Sequence, residues 1–142
     1  MFTELINPRF LETDALGHIN NNTNGVWFEA ARDPFFRLFI PTLDVKKWNL
    51  IIAHSSYDFV AELYFGKDVV IKTAIEKIGN SSVTLIHAAY QGDRLCTTGK
   101  AVMIHFDHHN KKSMPIPTPI RTELEKHLFV TPWPLNMKDL DN

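Results

Sequence analysis

A single cysteine, Cys96, stands among the 142 residues, so the chain can form no internal disulfide and carries no secreted-type disulfide framework. An excess of one charge is also missing. Lys and Arg total 15 against 16 Asp and Glu, a formal net charge of -1. A nucleic-acid binder that works through counterion release needs a basic face, so that class is disfavoured. A small basic patch, of the size a coenzyme phosphate needs, stays compatible with the balance. No apolar run approaches the ~20 residues that cross a bilayer. The start, Met1-Phe2-Thr3-Glu4, lacks the basic and apolar regions of a secretory leader, and a cytoplasmic location off the membrane is expected. Repeats, low-complexity stretches and linkers are missing too, which leaves one domain over residues 1–142.

What is present is a globular balance, 44% hydrophobic and 22% charged. Residues Glu4 to Glu12 read as a first strand, with Pro8 tolerated at an edge or bulge. Thr13 to Gly25 has loop composition, and its Asn residues suit turns and helix caps. From Asn22 to Ile40 the spacing of Trp27, Ala30, Ala31, Phe35, Leu38 and Phe39 places them on one helical stripe, and Pro34 should break or kink that helix or open a second one. Strands follow, from Leu50 toward Phe65, from Val69 to Glu76, from Val83 to Tyr90 and from Leu95 to Phe106, with turns at Gly66-Lys67-Asp68, Gly79-Asn80 and Gln91-Gly92-Asp93. Gly99 inside the last strand marks a bulge or a close backbone approach. Met114 to Pro119 is too rich in proline for a central strand, and Arg121 to His127 reads as a short closing helix before a tail from Thr131. The order implies an α+β fold in which one helix covers one face of an antiparallel sheet. The other face is then wet or paired with a second subunit.

The informative stretch is Arg9 to Arg32, RFLETDALGHINNNTNGVWFEAAR. Asp14, Gly17, His18, Ile19, Asn20 and Asn21, followed by Phe28, Glu29 and Arg32 on the helix, resemble the signature of the 4-hydroxybenzoyl-CoA thioesterase family of the hotdog superfamily. Weaker likeness continues through the Gly66, Gly79 and His105-Phe106-Asp107 regions. The resemblance implies a hotdog fold, an antiparallel sheet wrapped around one long central helix, assembled as a homodimer or homotetramer. It implies an acyl-CoA thioester as substrate, and no cofactor beyond the coenzyme A that the substrate carries. The family's acid matches Asp14, at the end of the first strand.

The chemistry fits those residue types. A thioester carbonyl needs an activated water or a carboxylate nucleophile, and donors for the developing oxyanion. Asp14 supplies the first, as general base or nucleophile, and amides in the first turn of the Asn22 helix supply the second. Gly17, His18, Asn20, Asn21 and Asn22 are the expected substrate-binding residues, with the three Asn also suited to plain turn and cap roles. The sequence departs from the family at Asn21, at Asn24 and at the Asp33-Pro34 pair in the helix. Asn21 and Asn24 stand where many relatives carry rings, and Asn24-Gly25 opens space at the helix start. That leaves room for a second reading, a non-catalytic hotdog protein that holds an acyl-CoA or acyl-carrier thioester. His105, Asp107 and His109 alternate as metal ligands would, but Asp107 to Lys112 reads as a polar turn and no metal is expected. Cys96 reads as structural. Glu29 suits an ion pair or cap, and Trp27 and Phe28 suit an acyl-pocket wall. Lys67, Lys72, Arg94, Lys100, Lys111 and Lys112 are the charge candidates for coenzyme phosphates. The acyl chain and the oligomer size stay open.

Overall fold

A computed structural model describes residues 1–129 and 133–134. Apart from those last two, the tail expected from Thr131 lies outside the described residues. Strand β1 covers Phe2–Ile6, β2 Leu50–Phe59, β3 Val69–Ile78, β4 Ser82–Gln91, β5 Arg94–Asp107 and β6 Lys112–Ser113. The antiparallel sheet runs β1-β3-β4-β5-β2, with the short β6 beside β5. Helices α1 (Thr23–Ala31) and α2 (Asp33–Phe39) follow β1, and α3 (Thr118–Glu125) closes the described fold. A curled antiparallel sheet with three helices fits the hotdog architecture.

Two expectations need correction. The single long central helix is instead two short ones. Arg32 ends α1 and precedes α2, and Pro34 sits in the first turn of α2. Proline has no N–H for the ladder and its ring crowds the carbonyl four residues back, so the helix restarts there. The first strand also stops at Ile6 rather than near Asp14. Pro8 follows, and Phe10–Glu12 forms a 3-10 turn before Asp14 is reached. Asp14 therefore belongs to a loop, not to a strand end.

The break between the helices divides the core. Around α1, Trp27, Phe28 and Ala31 pack with Ile71, Ala89 and Cys96. Around α2, Phe35, Phe36 and Phe39 pack with Ile75, Leu85 and Leu124. Each buried Phe contributes roughly 1.5–3 kcal/mol of transfer free energy. Ala30, expected on the buried stripe, is exposed, while Phe28 and Phe36 are buried in its place. Cys96 is buried inside the α1 cluster, and burial raises its thiol pKa, which agrees with a structural role.

Gly99 resolves as a close approach. It pairs with His87 on β4 and with Tyr57 on β2, in register and without a bulge. A Cβ there would lie 2.7 Å from Phe28 Cε2. Phe28 thus rests on bare backbone, stacked on the His87 ring at 4.8 Å and on the Tyr57 ring at 5.9 Å. This row places the start of α1 over the sheet. The Asp107 to Lys112 run is a turn, as expected, with His105 and Asp107 in the last residues of β5. Asp107 Oδ1 accepts from the His109 and Asn110 amides, at 2.9 and 3.0 Å, and these bonds lower its pKa, Asn110 first. Among the described residues no cluster of His, Cys, Asp or Glu is arranged for a metal, and no helix is long and apolar enough to cross a membrane.

Candidate active site

The loop before α1 is built around Asp14. Its Oδ1 accepts the Leu16 amide at 2.7 Å and the His18 amide at 3.1 Å, while its own amide donates to the His18 carbonyl at 2.8 Å. Gly17 takes φ +80, a left-handed turn position that suits glycine. Asp14 itself is exposed, and its Oδ2 accepts no hydrogen bond among the described residues. The carboxylate is therefore oriented through one oxygen and open at the other.

His18 faces the neighbouring segment. Its Nδ1 lies 3.6 Å from Glu62 Oε2, and its ring meets Tyr64 edge-on at 5.1 Å. Backbone pairing of Ile19 N–H to Leu63 O holds the two segments together at 2.8 Å. Asn20 and Asn21 start the helix through their carbonyls. Asn20 O accepts the Thr23 amide at 2.9 Å, and Asn21 O accepts the Asn24 amide at 3.3 Å. Asn20 Oδ1 accepts the Asn22 amide at 3.1 Å. Asn22 is the N-cap residue, but no side-chain cap bond forms. The first turn of α1 carries the amides that a helix leaves without intrahelical acceptors, the donors expected from the sequence at this helix start.

Sequence reasoning missed three groups. Glu12 binds the loop to α1: its Oε1 accepts the Arg9 amide at 2.7 Å and its Oε2 accepts the Trp27 indole N–H at 2.8 Å. Burial opposes ionisation of Glu12, yet these bonds and the Arg9 charge outweigh it and lower the pKa. Tyr57, from β2, stands where the sequence left open space. Its hydroxyl lies 3.0 Å from the position a Cβ on Gly25 would take. The third is a buried polar row under α1. Arg32 Nη1 donates to His87 Nε2 at 3.2 Å, so the neutral ring carries its proton on Nδ1, which donates to Thr73 Oγ1 at 2.8 Å. Burial first, then the Arg32 charge, lowers the His87 pKa to about 3. The Arg spaced four residues past Phe28 was visible as a motif position, but nothing in the sequence paired it with a strand histidine.

A cavity of about 240 Å³ opens beside the helix start, lined by Ile19, Asn21, Asn24, Phe59, Leu63 and Thr97 among others. Of the expected site residues Asn21 lines it directly, and His18 reaches its rim through Glu62. Asp14, Gly17, Asn20 and Asn22 shape the adjoining loop instead. Phe10, Leu11, Leu16 and Phe65 leave apolar surface exposed around that loop. A larger groove of about 490 Å³ runs between α1–α2 and β2, past Arg32, Phe36 and Trp48. It contains none of the expected site residues. The phosphate candidates also separate. Lys72 is buried and donates to Thr3 Oγ1 at 3.0 Å, and Lys100 pairs with Glu76 at 3.0 Å. Arg94 adjoins the cavity through Glu62: it donates to the Glu62 carbonyl at 2.6 Å and lies over the Tyr64 ring at 5.6 Å.

The chain belongs to the thioesterase-like superfamily, whose family pattern matches residues 8–124. The match is to that broader grouping rather than to the 4-hydroxybenzoyl-CoA family alone. A solved structure described as a predicted thioesterase from Bacillus stearothermophilus is 41% identical, with TM-score 0.90 over 92% of this chain and 98% of that one. The uncharacterized protein YsmA of Bacillus subtilis is 28% identical over 117 residues, 80% of this chain and 78% of its own. A Thermus thermophilus thioesterase complexed with coenzyme A and zinc shares the fold at 22% identity and TM-score 0.77, over 87% of this chain and 96% of that one.

Proposed function

We propose that this chain hydrolyses an acyl-CoA thioester to the free acid and coenzyme A. The observation that carries the reading is the Asp14 carboxylate, held by loop amides through Oδ1 with Oδ2 open, in the loop that leads to the first-turn amides of α1. In this reading Oδ2 takes a proton from water or attacks the carbonyl carbon itself. The α1 amides and the positive end of the helix receive the charge that develops on the oxygen. Tyr57, beside Gly25, places a hydroxyl near the same turn. Arg94 offers a guanidinium at the rim for a coenzyme phosphate.

Assembly belongs to this proposal. The edge strand β2 leaves Ile51, Ile52 and Phe59 exposed beside a row of unpaired backbone groups. A homodimer or homotetramer would cover them, and light scattering at micromolar concentration should show more than a monomer. Free-thiol release from short, medium, long and aromatic acyl-CoAs tests the activity, with wild type and Asp14→Asn run together. Release by wild type and its loss in the variant supports the reading. Equal release by both would sink it.

One observation favours a second reading, that of a non-catalytic acyl-thioester binder. The Asp14 Oδ1 contacts already account for the residue as a turn former. Tight binding of acyl-CoA with no release from any substrate would select it.

A further inference from the structure

Asn24 is the second residue of α1, yet its side chain is 3% exposed. A buried primary amide needs partners for both of its ends. The Nδ2 end has one, the Asn21 carbonyl at 3.2 Å. The Oδ1 end has none. Asn24 also lines the cavity of about 240 Å³ beside the helix start, whose other walls include Ile19, Phe59, Val60 and Leu63. Asn21, Glu62 and Thr97 add polar groups to those apolar walls, and Asn24 Oδ1 is the buried acceptor among them that has no partner. The outer wall of the cavity is the irregular segment after β2, hung from the Cys96 carbonyl by the Val60 and Ala61 amides at 2.8 and 3.0 Å. The oxygen is covered in the empty chain, so a ligand reaches it by a rotation of the amide or a small shift of this segment.

We infer that Asn24 is a specificity-determining residue, selecting thioesters whose acyl chain carries a hydroxyl into this cavity. The inference rests on the thioester-site reading above and names the substrate class for it. An acyl chain that carries one O–H donor supplies the partner Asn24 Oδ1 lacks, and its apolar body lies on Ile19, Phe59, Val60 and Leu63. A purely apolar chain leaves Asn24 Oδ1 buried and unmet, and the difference between the two falls on the bound state. A pantetheine amide also brings an N–H. It is the alternative source of the same donor.

The test uses binding and turnover together. Affinities of the intact protein for S-butyl-coenzyme A and for the S-(2-, 3- and 4-hydroxybutyl) thioethers are measured by calorimetry, since thioethers cannot be hydrolysed. Turnover is measured on butyryl-CoA and the matching hydroxybutyryl-CoAs. At least one hydroxylated ligand should bind about fivefold or more tighter than S-butyl-coenzyme A, the size of one net hydrogen bond. The same ligand pair should bind equally to Asn24→Leu, with circular dichroism confirming its fold. The wild-type ratio alone decides the matter if that variant fails to fold. Equal affinity of wild type for all four thioethers overturns the inference. So does an Asn24→Leu variant that weakens S-butyl-coenzyme A and the hydroxylated ligands by the same factor, which assigns the donor to pantetheine. Absence of turnover with the thioether preference intact overturns the hydrolase reading and keeps the assignment of Asn24.

Discussion

Gly99→Ala places one methyl group where Phe28 meets the sheet. The added Cβ would lie 2.7 Å from Phe28 Cε2, 3.0 Å from Phe28 Cδ2 and 3.0 Å from the Ser56 carbonyl oxygen. Carbon–carbon contacts are comfortable from about 3.5 Å, so the ring must retreat by roughly 0.8 Å. It has little room to do so, since Phe28 is 1% exposed and stacked against both His87 and Tyr57. The Ser56 carbonyl belongs to β2 and cannot move without loosening its pairing with β5. Overpacking of this kind costs about 1–3 kcal/mol. Removing a glycine from a strand returns about 0.5–1 kcal/mol. The expected net loss is about 1–2 kcal/mol, or a Tm lower by roughly 3–7 °C for a chain of this size. Urea denaturation and thermal melting measure it. A Tm equal to or above wild type would refute the packing argument. Phe28→Leu in the Gly99→Ala background should recover part of the loss, because the clash and the relief share one contact.

Stability should also depend on His87. Its pKa lies at about 3 in the folded chain against an ordinary 6.5. The unfolded chain therefore binds a proton that the folded chain refuses, and stability falls as pH drops below about 6.5, by at most about 1.4 kcal/mol per pH unit. Denaturant midpoints taken from about pH 7.5 to about pH 5 should decline in wild type and decline less in His87→Gln; parallel profiles would contradict this. Gly25→Ala should press the Tyr57 hydroxyl away from the helix start and lower kcat about tenfold with little change in KM, as expected for a group that serves the transition state. Unchanged kcat would remove the first turn of α1 from the chemistry. Arg94→Ala should raise KM for coenzyme A thioesters several-fold and weaken its salt dependence, and KM values equal at low salt would exclude Arg94 from phosphate contact. Glu12→Gln should destabilise by about 1–2 kcal/mol, because the Arg9 and Trp27 donors lose a charged acceptor, and a midpoint shift read by urea unfolding checks it.

Local signals in the sequence carried much of this protein. The β3-β4-β5 meander, the turns at Gly66, Gly79 and Gly92, the break at Pro34 and the loop from Asp14 to Asn22 are consequences of short-range chemistry, whereas β2, expected to continue the meander beside β3, crosses over to pair with β5. Alternation, missing N–H groups and left-handed glycines act within a few residues, so they are legible in one dimension. Gly99 was legible as a choice between a bulge and a close approach, and the facing ring of Phe28 decided it. What the chain could not show was pairing across distance. Asn24 looked like a gap left by a missing ring, and folding brought Tyr57 from β2 to that place. Arg32 was visible only as a signature position, and folding buried it on His87. Trp27 was read as core and as suited to a pocket wall, and folding buries it with its indole on Glu12. These contacts depend on the register of β2, β4 and β5 beneath α1. Register is set by the packing of the whole sheet, which no single segment of the sequence contains.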